Sequence, residues 1–141
     1  MKKFFWLIII ILIGLQFYPV EKTNPPVDEK LELKANAEVK AVFKRACYDC
    51  HSNQTVWPWY SNIAPASILL ADHVEEGRSE LNFSEWRSYS RDKKMHKMEE
   101  IWEEIEEGEM PLKGYSVVHG IELTEEEKAL IKDWSEKLVL F

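Results

Sequence analysis

Apolar positions recur along this chain with the period of a helix. Asp92 to Glu107 shows it most sharply: Met95, Met98, Ile101, Trp102 and Ile105 return at spacings of three and four among charged residues, and Gly108 stands where a helix stop belongs. Leu33 to Ala46 puts Val39, Val42, Phe43 and Ala46 on one side, and Ser67 to Arg78 puts Leu69, Leu70, His73 and Val74 on one face, with Gly77 near its end. Thr124-Glu125-Glu126-Glu127 is a capping box, acidic in the first turn where the helix dipole favours it. The helix it opens presents Leu130, Ile131, Trp134 and Leu138. Asn53 to Pro65, with Pro58 and Pro65 among aromatics, reads as an irregular loop. No stretch alternates convincingly with period two, so the pattern predicts an all-α fold.

A different pattern opens the chain. Phe4 to Tyr18 is almost unbroken apolar sequence, interrupted only by Gly14 and Gln16 and preceded by Lys2 and Lys3. Its length falls between a secretory core region and a spanning helix of about 20 residues. The flank Tyr18-Pro19-Val20 has no small-residue cleavage site, which favours an uncleaved N-terminal anchor over a removed signal peptide. Lys2 and Lys3 would then stay cytoplasmic, and the chain from Val20 onward would be exported to the periplasm, held at the inner membrane. Three parts follow: a membrane-directed segment over 1–18, a proline-rich polar tether over 19–34, and a domain over 35–141. The tether, with Pro19, Pro25 and Pro26, is not expected to fold by itself.

Composition narrows the function. The chain has 141 residues, enough for one small domain behind such a segment. A net charge of −7 argues against nucleic acid as a partner, since an acidic surface repels phosphate backbones. Six tryptophans are many for this length and suggest a dense core or the walls of a flat apolar ligand's pocket.

Both cysteines of the chain lie in Cys47-Tyr48-Asp49-Cys50-His51. This is the attachment signature of a c-type haem. Residues three apart share one face of a helical turn, so two sulfurs can form thioethers along one porphyrin edge while the adjoining imidazole turns to the iron. A thiol–disulfide oxidoreductase also uses CxxC, normally at a strand-to-helix junction, and no such pattern surrounds these residues. A zinc site would need a fourth ligand, from His73, His96 or His119.

A bound haem has a second axial position. Met110 is the leading candidate: it follows the helix stop Gly108, and Pro111 keeps the helix from resuming. His73 and His119 are competing ligands, and an open position is the third possibility. Met/His ligation raises the iron potential and leaves no place for substrate, whereas an open site admits ligands or peroxide chemistry.

CYDCHSNQTVWPWYSNIAPAS, LLADHVEEGRSELNFSEW and GEMPLKGY together resemble the haem-binding domain family of exported bacterial proteins, a cytochrome c-like module, from about Val39 to Trp134. The resemblance implies one covalent haem c on Cys47 and Cys50, proximal ligation by His51, and Met110 at the family's Met-Pro; Ile68 stands where the pattern leads one to expect tryptophan. Trp57, Pro58, Trp59 and Tyr60 are candidates to wall the porphyrin. The expected function is that of a membrane-tethered electron carrier between redox protein partners, not an enzyme. The alternatives are a haem sensor or peroxidase-like enzyme with an open iron, and an exported dithiol oxidoreductase.

Overall fold

A computed structural model describes residues 1–139, with side chains described as far as Lys137, so the expected position of Leu138 lies outside the described side chains. All regular structure among the described residues is helical: α1 (Lys2–Leu15), α2 (Ala37–Ala46), α3 (Tyr48–His51), α4 (Ala66–Glu80), α5 (Arg91–Glu106), α6 (Lys113–His119) and α7 (Glu125–Val139), with 3₁₀ turns at Trp59–Asn62 and Trp86–Ser88.

Caps explain where these helices begin. The Asn36 side chain accepts from Val39 N at 2.8 Å, so α2 starts at Ala37 and not at Leu33. Ser90 accepts from Lys93 N and opens α5. The capping box forms reciprocally: Glu127 N donates to Thr124 Oγ1 at 3.2 Å, and Thr124 N donates to Glu127 Oε2 at 3.0 Å.

The core lies where α2, α5 and α7 meet. Phe43 stacks on Phe83 with centroids 4.9 Å apart and takes the edge of Trp134 at 5.1 Å. Met98, Ile101 and Ile105 of α5 are buried together with Ile131 and Trp134 of α7, as their helical spacing predicts. Trp86 and Trp134 are core, while Trp59 is exposed, so the tryptophans serve more than one purpose.

Gly77 lies near the end of α4, as read, and inside the helix, which continues to Glu80. The proline-rich stretch lies along the domain. Arg78 donates through Nη1 to Thr23 O and through Nη2 to Asn24 Oδ1, both at 2.8 Å, and Leu33 is buried in the core with its N–H bonded to Phe83 O.

At the N-terminus α1 has 14 residues and buries none of them. At about 1.5 Å per residue it reaches roughly 21 Å, short of a bilayer core of about 30 Å. No helix among the described residues is long and apolar enough to cross a membrane. Turn-type hydrogen bonds carry the coil on through Gln16, Phe17 and Tyr18.

Candidate functional site

The two cysteines and the histidine occupy one sharp joint. Cys47 ends α2 with a φ of −128°, and its carbonyl then accepts from Cys50 N at 3.2 Å and His51 N at 2.9 Å, closing the single turn α3. Both thiols are free and largely buried. Burial, followed by the neighbouring Cys50, pushes the Cys47 thiol up to about 12; burial, followed by Asp49, pushes Cys50 up to about 11. Thiols in that range stay protonated at neutral pH. A dithiol redox catalyst needs the opposite shift, because the thiolate is the nucleophile.

His51 is the most constrained of the three. Its Nδ1 lies 2.9 Å from Gly77 O and 3.2 Å from Leu81 O. Both partners accept only, so Nδ1 must carry the proton, and Nε2 is left with its lone pair. Burial pushes the imidazole pKa down, against the opposing effect of the two carbonyls, so the ring is neutral at pH 7. Its backbone carbonyl accepts from Phe83 N at 2.8 Å, fixing the main chain as well. A neutral imidazole oriented through Nδ1 by backbone carbonyls is the arrangement in which Nε2 serves as a metal ligand.

That orientation depends on α4 coming very close to α3. A methyl group on Gly77 would sit 2.8 Å from Cys50 O and 3.2 Å from its carbonyl carbon. Only glycine lets the Gly77 carbonyl reach His51, which explains a glycine within a helix.

Cys47, Cys50, His51 and Met110 all line one cavity of 410 Å³, whose walls include Phe43, Ala46, Leu81, Phe83, Ile101 and Leu123. The volume falls in the range of about 300–1,000 Å³ typical of ligand sites. Met110 reaches it through the end of α5. Gly108 adopts a φ of 74°, and both Glu109 N and Met110 N then bond the Glu104 carbonyl, at 2.9 and 3.0 Å, turning the chain back across the helix terminus. On the solvent side, Lys97 of α5 pairs with Glu100 at 2.5 Å and with Glu80 of α4 at 3.4 Å.

The remaining candidates separate. His73, expected on a core-facing surface, is exposed and lines the same cavity. His119 hydrogen-bonds Tyr60 and stacks on Tyr115 at 4.2 Å. His96 is exposed and faces Glu100 at 3.1 Å. No group of three or more His, Cys, Asp or Glu side chains is placed to hold a metal ion among the described residues. Trp57, Pro58, Trp59 and Tyr60, candidates to wall the porphyrin, are not among the described residues lining this cavity; Tyr60 instead bonds His119, which stacks on the cavity-lining Tyr115.

Sequence reasoning missed Asp49 and Tyr115. Asp49 Oδ1 accepts from Val56 N at 3.0 Å, and Oδ2 accepts from the Tyr115 hydroxyl at 2.5 Å. Asp49 thus fastens the cysteine turn to α6, a seven-residue helix without apolar periodicity.

The chemistry of the donors fits a porphyrin iron: a free imidazole lone pair, two thiols one turn apart, and a thioether on one largely apolar cavity. The family model described as "Haem-binding domain" matches residues 10–137. Neither a curated protein nor a solved structure matches the chain.

Proposed function

This chain belongs to the haem-binding domain family, and from that premise we propose that it is a monohaem c-type electron carrier, anchored by its N-terminus and facing the periplasm. The observation that carries the reading is the double hydrogen bond from His51 Nδ1 to Gly77 O and Leu81 O, which frees Nε2 for iron.

Cys47 and Cys50 would hold the haem through thioethers, and His51 and Met110 would ligate its iron. When bound, the haem supplies a one-electron couple whose potential a thioether ligand raises. The protein's part is to orient His51 and to exclude water with Phe43, Phe83, Ile101 and Leu123. His73 lines the same cavity, which makes it the main competitor of Met110.

Membrane attachment would come from α1, whose side chains pack against nothing in the domain core. The helical turns from Lys2 to Tyr18 would give an apolar rod about 25 Å long. Bilayers accommodate a short span by local thinning or by drawing flanking residues inward, at modest cost. The redox partners would be other proteins.

Expression with a cytochrome c maturation system, followed by a denaturing gel stained for haem, tests this reading. Pigment should remain on the chain and disappear from the Cys47→Ala, Cys50→Ala double variant. A colourless product with two alkylatable thiols would overturn it.

A further inference from the structure

We infer that the knuckle formed by Val56, Trp59 and Ile63 is a lipid-contacting surface, which seats the haem domain directly on the bilayer beside α1. The inference rests on α1 entering a membrane as proposed above.

The first observation is an uncharged stretch. Charged residues make up 30% of the chain, yet Ser52 to Ala71 contains no Asp, Glu, Lys or Arg. At the chain's average a run of this length would carry several. On an acidic protein this is the one long segment beyond the N-terminal apolar run that anionic headgroups would not repel.

Exposure is the second. Within the stretch Trp59 is 77% exposed and Ile63 48% exposed, and Val56 is also exposed. Trp59 opens the 3₁₀ turn Trp59–Asn62, so a large indole projects from a short, fixed element. Tryptophan is enriched at the membrane–water interface, where its ring lies at headgroup level.

The third observation places this surface at the end of the membrane helix. Gln16 makes a two-pronged contact with the backbone of Ala64: Nε2 donates to Ala64 O at 3.0 Å, and Ala64 N donates to Oε1 at 3.1 Å. The Lys22 ammonium donates to the Asn62 side-chain oxygen. Helix exit and knuckle are therefore one structure, with exposed Phe17 and Tyr18 between them and one cation beside it. A rod that is short for a bilayer core gives the domain no room to stand off, so the residues bonded to its end must meet the interface.

A phospholipid bilayer is thus the occupant. The full chain, haem-loaded and reconstituted in nanodiscs of phosphatidylethanolamine and phosphatidylglycerol, would carry a photo-crosslinker at single positions: Trp59→p-benzoylphenylalanine, Ile63→p-benzoylphenylalanine, Ile11→p-benzoylphenylalanine in α1, and Glu103→p-benzoylphenylalanine on α5. Mass spectrometry reads phospholipid adducts, and haem content checks that each variant is folded. Adducts at 11, 59 and 63 and none at 103 are expected. Adducts at 11 without any at 59 or 63 would overturn the knuckle and leave the anchor standing. No adduct at 11 would overturn the anchor and this inference together, and equal yields at 59 and 103 would show indiscriminate contact and also overturn it.

Discussion

Gly77 faces the Cys50 carbonyl oxygen so closely that a Cβ on it would lie 2.8 Å away. The contact places the Gly77 carbonyl within hydrogen-bond reach of His51 Nδ1. Gly77→Ala should push α4 off α3 and release the imidazole. Overpacking of this kind costs about 1–3 kcal/mol. We expect a lower denaturation midpoint and a sharp fall in haem retained per chain, read by pyridine haemochrome absorbance against protein. Full haem content with an unchanged midpoint would show that the backbone yields freely there.

Met110→Ala removes the one thioether that lines the cavity on the α5 to α6 loop. With methionine as the axial ligand, the midpoint potential should fall by tens of millivolts or more, and carbon monoxide should bind the reduced protein readily. An unchanged potential would hand the position to His73, and the companion variant His73→Ala would then produce the shift.

Tyr115→Phe deletes the 2.5 Å hydrogen bond to Asp49 that joins α6 to the cysteine turn. A hydrogen bond to a charged partner contributes about 1.5–3 kcal/mol. The variant should lose stability in that range in urea denaturation, and cyanide should bind the oxidised protein faster, because the segment carrying Met110 loses its fastening. Loss of stability with no change in cyanide binding would confine Tyr115 to a structural part.

Glu32 sets an acid limit on stability. Burial opposes its ionisation, but hydrogen bonds from Lys40 at 2.8 Å and Gln54 at 2.8 Å outweigh it, and the carboxyl lies below its ordinary value. A group with a depressed folded pKa stabilises above the ordinary carboxylate range, and that contribution is lost as pH falls through the folded value. Glu32→Gln should therefore lower the melting temperature by a few degrees at pH 7, and wild type and variant should converge as pH falls below the ordinary carboxylate range and through the folded value. A gap that persists unchanged to the most acid pH at which the protein stays folded would remove the ionic explanation.

Much of the fold was legible because its signals are local. The three-and-four spacing of Met98, Ile101 and Ile105 and the Thr124 capping box each act within a few residues, and each appears in the structure as read. The missed element, α6, has seven residues and is held by Tyr115 bonding to Asp49, a partner 66 positions away that no window reveals. The sequence placed Gly77 near a helix end but gave no reason for it; the contact that requires glycine there comes from another helix.

The sequence by itself determined the chemistry: two thiols and an imidazole within five residues, a methionine beyond a helix stop, and helices to carry them. Proximity along the chain suffices for that. Only the tertiary structure decided which nitrogen of His51 is free, that Met110 and His73 share its cavity, and that Trp57, Trp59 and Tyr60 are not among the described residues lining it. Those facts depend on carbonyls and walls supplied by distant segments, whose positions follow from how the helices pack.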